Sequence, residues 1–350
     1  MLKRIWGRLV ISLLIAGVFA LLLREAHFEL VPAAGIFHGV QIWGLCGYFI
    51  LFSLVHLLRA ARWKLLLLPL HPVSMSRILG ASFIGFAAIV LLPMRAGEVV
   101  RAVLIRKKGE ISGWAATGTI GAERVIDGLV LSLMLLFGLS TAQTLNPLPD
   151  HIGKLPISTE RVPQLSYLAL LVFAAAFVAM AVFYFKRQWA RHFTVACLGV
   201  FSKRGAQWLA ERVEKVTDGL HFFPNVKLTL PFIGITVAYW LLNAFATWVL
   251  ARGCGFADFS YAQACVATGT LALGILVPNA PGFLGAFQFS IFAAFAMFYP
   301  ASELEQAGAA YVFWVYVLQM AITLLAAAWG AVLLHAGVRA AFGGDLDADA

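Results

Sequence analysis

Arg59, Arg62, Arg95, Glu98, Arg101, Glu123, Arg124 and Asp127 stand in or beside long apolar stretches of this sequence. An ionisable side chain inside a membrane span costs about 2.5–3.5 kcal/mol on insertion scales, so such groups are usually paired or put to use. If the chain is helical after Gly97, the spacings of three between Arg95, Glu98 and Arg101 keep them on one broad face. A helix beginning there also turns free N–H groups toward an anion, and the arginine fork matches phosphate oxygens. The functional reading is a lipid phosphate site. The alternative puts 95–101 at headgroup level, where arginine is cheap. Glu123 and Asp127 are four apart and share a helix face, about 13–20 Å along a helix that starts near Trp114. They balance Arg95 or Arg101 across a helix interface, or carry a proton; a structural ion network including Arg124 is the competing reading. Arg59, Arg62 and Trp63 close an earlier apolar stretch, where interfacial anchoring competes with headgroup binding.

The apolar background decides the class. Hydrophobic residues make up 61% and charged residues 12% of 350 positions. Soluble domains carry roughly a quarter charged residues, so this share cannot cover a water-facing surface. Stretches of about 20 apolar residues, enough to cross a bilayer as helix, recur along the chain. Residues 1–342 therefore read as one all-α, polytopic membrane helix bundle with no separate soluble domain. The formal charge of +9 does not imply nucleic acid, because the positive residues sit in loops between spans. Cys46, Cys197, Cys254 and Cys265 show no CxxC pair or metal spacing, so no disulfide, metal or cofactor is expected. Lys3, Arg4 and Arg8 precede the first apolar stretch like a signal peptide, but no small-x-small cleavage site follows, and it reads as a retained span.

Apolar segments fall near 5–23, 40–58, 78–93, 114–141, 165–185, 229–251, 262–298 and 310–334. One set of loops carries nearly all the Lys and Arg; the other carries only Arg24, Lys154, Arg161 and Arg252. The positive-inside rule puts the first set, and both termini, in the cytoplasm. Residues 78–105 then begin and end on the cytoplasmic side, and 262–298 begin and end on the other. Each has a Pro/Gly break at its middle, Pro93 to Gly97 and Pro278 to Gly282, and proline cannot continue the helix ladder. These segments read as re-entrant hairpins from opposite faces, with kinked full spans as the alternative. A gapless shift of 185 positions aligns Trp63 with Trp248, Pro93 with Pro278 and Gly97 with Gly282. The halves, about 40–141 and 229–334, would be inverted repeats, an arrangement that puts a substrate site near the midplane of a transporter. Residues 187–224 suit a cytoplasmic amphipathic helix on anionic lipid, and 343–350 a disordered acidic tail.

Arg59-x-x-Arg62-Trp63, Pro93-x-Arg95-x-Gly97-Glu98-x-x-Arg101, Glu123-Arg124-x-x-Asp127 and Pro278-x-x-Pro281-Gly282-Phe283-Leu284-Gly285 occur in this order. Together they resemble the transmembrane family of lysylphosphatidylglycerol synthases, also called flippase-like. The resemblance covers nearly the whole chain and implies a multi-pass protein of the bacterial inner membrane that moves or handles lipids: aminoacylated phospholipids, polyprenyl-linked sugars or hopanoids. Two departures matter. Phe283 and Gln288 stand where the family usually has Gly and Glu, which puts any carboxylate mechanism at 288 in doubt. The soluble aminoacyl-transfer domain of true synthases is also missing, so lipid aminoacylation by this chain alone is not expected.

The leading expectation is a lipid flippase or lipid-transport protein handling an anionic or polyprenyl- or hopanoid-type lipid. Arg59, Arg62, Arg95 and Arg101 would bind the headgroup. Glu98, Glu123, Arg124 and Asp127 would balance charge or couple protons. Pro93, Gly97, Pro278, Asn279, Pro281, Gly282, Gly285 and Gln288 would form the hairpin tips. With no P-loop, any drive would come from ion gradients, membrane potential or mass action. An intramembrane lipid-phosphate enzyme is disfavoured, because the tips offer no Ser or His nucleophile. A non-catalytic membrane subunit, partnered with lipid- or glycan-synthesis enzymes, is the third reading. Arg95→Ala and Arg101→Ala are expected to abolish activity in protein that still inserts, and Gln288→Ala to be tolerated. Loop charge predicts that cysteines at positions 107 and 203 label only from the cytoplasm and one at 154 only from outside; labelling of 107 and 154 from one side would overturn the orientation.

Overall fold

The protein is described here by a computed structural model covering residues 32–92, 97–107, 109–149, 151–152, 155–156, 161–186, 216–276 and 281–343, together with 17 and 21. The first apolar stretch, Arg95, Pro93, Pro278, Asn279, most of the 187–224 segment and the acidic tail lie outside these residues. The described chain is helical apart from one two-residue antiparallel ladder, His151–Ile152 against Leu155–Pro156. Helices α1 (Ile42–Ala61) and α2 (Trp63–Leu67) meet at Arg62, followed by α3 (Met75–Leu91), α4 (Gly97–Ile105), α5 (Gly113–Thr141) and α6 (Arg161–Phe185). The second half supplies α7 (Val226–Gly253), α8 (Tyr261–Gly274), α9 (Ala286–Phe295) and α10 (Ala309–Gly343). Among the described residues, four helical stretches are long and apolar enough to cross a membrane: Ile42–Leu67, Val162–Phe185, Val226–Gly253 and Ala301–His335. At 1.5 Å per residue α5 is also long enough, whereas α4 and α9 reach only about 14–15 Å.

Local chemistry sets several of the boundaries. Ser112 caps α5 by accepting from Ala115 N–H at 3.1 Å. Ser260 and Gln263 form a reciprocal capping box at the start of α8, which satisfies two donors that a helix start leaves open.

The helices pair in a regular way. α1 runs antiparallel to α7: Gln41 N–H donates to Gly253 O at 2.8 Å at one end, and Arg62 reaches Thr236 at the other. The pair packs tightly where Gly44 meets Gly253; a Cβ on Gly44 would stand 2.7 Å from the Gly253 Cα. α3 lies along α10, and α5 along α8. α3 packs against α4 and α8 against α9, so each forms a helical hairpin. The open end of the first is tied by Arg77, which donates to Ile105 O at 2.8 Å, to Arg106 O at 3.3 Å and to Glu110 at 3.1 Å. A hydrogen bond from Lys107, then one from Arg77, holds the Glu110 carboxyl below its ordinary range; that contribution is present at neutral pH and is lost as pH falls through the lowered value. The open end of the second is an aromatic stack, with Phe256 and Phe259 on Phe295 at 5.1 and 5.0 Å between centroids.

The outer surface is apolar, as a lipid-facing surface must be: Leu133, Phe137, Leu171, Leu325 and Val332 are all exposed. The described end of the 187–224 segment does not lie free on lipid. Leu220 and Phe222 are buried with Trp63, Leu66 and Ile120, because this stretch docks on the first turns of α5.

Gly97 opens α4 against the α3 backbone, where a Cβ would fall 2.0 Å from Ile89 N, whereas Gly121 has nothing within 4 Å. Gly97→Ala should therefore sharply reduce the yield of monodisperse protein, while Gly121→Ala should leave it unchanged or raise thermal stability by up to about 1 kcal/mol. Size-exclusion profiles and melting curves compare them, and equal behaviour would refute the close packing.

Candidate functional site

Four helices meet around the charges. Arg62, 1% exposed, donates to Asp127 Oδ2 at 2.8 Å and to Thr236 Oγ1 at 2.6 Å, and its Nε lies 3.8 Å from Glu123. Arg101, also 1% exposed, grips Glu123 with both terminal nitrogens and lays its guanidinium 3.8 Å from the Trp63 ring centroid. Trp63 in turn donates to Thr119 at 2.9 Å. Tyr239 of α7 donates its hydroxyl to the second oxygen of Asp127. Arg124, partly exposed, stands 3.5 Å from Glu98 and 3.6 Å from Asp127. Bidentate, charge-assisted bonds of this kind are the strong ones.

Arg59 differs from the other arginines. Among the described residues no carboxylate lies within ion-pairing distance of it; its guanidinium sits 4.6 Å from the Phe86 ring centroid and 6.0 Å from that of Tyr239. Three arginines, 62, 101 and 124, are matched by Glu98, Glu123 and Asp127. Arg59 is the excess positive charge of the described cluster.

A cavity of about 330 Å³ opens beside it. Arg59, Glu98, Arg124, Asp127 and Tyr239 give its wall charged and hydroxyl groups. Leu131, Leu271, Ile275, Leu276 and Ile291 give it apolar surface, and Asn243, Thr247, Thr268, Tyr311 and Gln319 neutral polar groups. Such a space suits a molecule with a charged head and an apolar remainder.

The sequence-derived site is thus divided. Arg59, Glu98, Arg124 and Asp127 line the cavity, while Arg62, Arg101 and Glu123 are buried behind its wall. Interfacial anchoring of Arg62 and Trp63 is overturned: both are fully buried, because the α1–α2 junction is covered by α4, α5 and α7. Gly97 is a packing contact of the first hairpin. Pro281, Gly282, Gly285 and Gln288 shape the second tip, where Gly282 and Gly285 have φ of 76° and 87°, a region open to glycine. Tyr316 donates to Gly282 O at 3.0 Å. Gln288 accepts from Gly285 N–H at 2.8 Å and is 4% exposed, so it caps α9. Gln288→Ala, expected to be tolerated for want of a charge, removes this buried cap and should cost about 1 kcal/mol of stability.

The contribution of α7 is not legible in the sequence. Thr236, Tyr239, Trp240, Asn243 and Thr247 recur at helical spacing on an otherwise apolar helix, a polar stripe that does not stand out by charge. His56, Tyr311 and Gln319 were hidden in the same way.

The profile of one protein family matches residues 5–327, almost the full length of the chain. The chain belongs to the family of the lysylphosphatidylglycerol synthase TM region. The chain is also 24% identical over 245 residues to a protein named glycosyltransferase AglD from Haloferax volcanii, a match covering 65% of this chain and 39% of that protein. The match therefore spans well under half the length of this curated relative. No solved structure matches the chain. For a member of this family the cluster lies within the matched region, so it belongs to the shared membrane part of the fold.

Removing one partner of a buried pair strands the other charge, at about 3–5 kcal/mol. Arg101→Ala and Arg62→Ala should therefore lose folded protein, contrary to the expectation that Arg101→Ala purifies normally. Arg59→Gln strands no described partner and should purify like wild type. Fluorescence-detected size exclusion of the three variants checks this, and equal yields would refute the division between buried network and cavity wall.

Proposed function

We propose that this protein moves a lipid with an anionic headgroup between membrane leaflets, docking the headgroup at Arg59. The carrying observation is that Arg59, the arginine of the cluster without a described carboxylate partner, lines a cavity whose wall is otherwise largely apolar and neutral polar. A headgroup crossing hydrocarbon alone meets a large desolvation barrier. Here Arg59 would replace part of its hydration, Arg124 and the Tyr239 hydroxyl stand nearby, and the acyl or polyprenyl chains would stay against the apolar wall and in lipid.

Several features support re-entrant hairpins in inverted repeats. The hairpin arms α4 and α9 are too short to span. The open end of each hairpin is closed by its own contacts, Arg77 in one and the aromatic stack in the other. α1 and α7, matched by the 185-position shift, run antiparallel, and exchanging the halves exchanges the α3–α10 pairing with the α8–α5 pairing. Loop charge supports a cell membrane location with both termini cytoplasmic. The second reading, a non-catalytic membrane subunit of lipid or glycan assembly, draws on the relative named as a glycosyltransferase, most of whose length lies outside the match.

Reconstituted protein should speed leaflet exchange of a labelled anionic phospholipid or polyprenyl phosphate at least tenfold over empty vesicles, and Arg59→Gln should remove most of that gain. No gain across anionic phospholipids, polyprenyl phosphates and hopanoids would end the flippase reading in favour of the subunit.

A further inference from the structure

His56 lies on α1, one turn before Arg59, and takes no part in the ion-pair network. It is 4% exposed. Its Nε2 lies 3.2 Å from Thr323 Oγ1 on α10, and its ring packs against Phe52 at 4.8 Å and edge-on to Phe86 at 5.7 Å between centroids. Nδ1 has no hydrogen-bond partner. With the imidazole proton on Nδ1, a buried N–H would lack an acceptor. With it on Nε2, donated to Thr323, only a lone pair is left open, which is the cheaper arrangement. The site therefore presents an open ring lone pair beside the charged cavity.

His56 also stands between two spaces. Phe52 lines the charged cavity, while His56 lines a second groove of about 200 Å³ with Ser53, Phe83 and Trp329. Phe86 touches both His56 and the Arg59 guanidinium. The charged groups on its own helix are Arg59 and Arg62. α3 faces it with Phe83 and Phe86 and α10 with Gln319 and Thr323, none of them ionisable. Beyond Phe52 and Phe86 come Tyr239 of α7, Glu98 and Arg101 of α4, and Glu123, Arg124 and Asp127 of α5. Glu123 and Asp127 are held by arginines, which leaves them poorly suited to exchange protons. A proton on His56 would set a second positive charge a turn from Arg59, an arrangement relieved when an anion occupies the cavity.

We propose that His56 is the proton site of this protein, loaded when an anionic headgroup docks at Arg59 and emptied when the headgroup leaves. This rests on the cavity reading above. In the loading step a hydronium ion gives its proton to Nδ1, an imidazolium forms, and no other group changes charge. One negative and one positive charge then enter together, so the occupied site carries the same net charge as the empty one.

Calorimetry in two buffers of different ionisation enthalpy reads binding and proton uptake together. Purified protein in detergent, titrated with dihexanoyl phosphatidylglycerol, should take up protons on binding when followed from about pH 4 to 8. His56→Gln, whose amide can keep the bond to Thr323, should bind the lipid with no uptake. Unchanged uptake in His56→Gln overturns the proposal. Binding by wild type without uptake anywhere in that range also overturns it and leaves the cavity reading standing. Absence of binding by wild type overturns the cavity reading and this one with it. If His56→Gln does not fold, the 15N-imidazole spectrum of wild type decides: a buried histidine whose titration midpoint rises with lipid supports the proposal, and no histidine responding overturns it.

Discussion

A charge inside a membrane protein has to be answered by another charge or by a ligand, and the first half of this bundle is organised by that requirement. Glu123 is answered by Arg101 and Asp127 by Arg62. Those pairs join α4 to α5 and the α1–α2 junction to α5, and through Thr236 and Tyr239 they extend to α7 in the second half. The lipid-like surroundings give little hydrophobic drive for helices to associate, so such polar contacts between helices carry weight that they would not have in water. The aromatic rings of Trp63, Phe232 and Tyr239 flank the same guanidiniums, which limits what those arginines can reach.

The second half is built differently. Its hairpin is closed by aromatic stacking and by backbone caps, with Gln288 and Tyr316 each satisfying one backbone group at the tip. One half thus contributes the charges of the cavity and the other contributes most of its apolar and neutral polar wall. The result is a space whose wall is mixed in character because the two halves differ in composition.

Much of the architecture was legible in the sequence. The apolar segments became the long helices, and Pro93-to-Gly97 and Pro278-to-Gly282 marked the places where helices stop, because proline and glycine act on the backbone locally. The charge cluster was legible as a cluster, since Arg or Glu in an apolar stretch is conspicuous. Its internal division was not. Whether Arg59 or Arg62 is paired depends on which of two residues three apart on one helix faces Asp127, and that is set by how α1 rotates against α7. The packing at Gly44 and Gly253 fixes that rotation, and it has no charge signature. In the sequence Gln288 stands out by the carboxylate it lacks; the cap it makes is not visible there, because it depends on the backbone geometry of Gly285.

Helix α6 has a consequence for how anything could get in. It presents Leu165, Leu168, Leu171, Val172 and Val178 outward and rests on α5, where the Phe173 ring lies over Gly128. Phe173 is also the side chain that α6 adds to the cavity lining. On that flank the partition between the cavity and the surrounding acyl chains is an aromatic ring resting on a glycine.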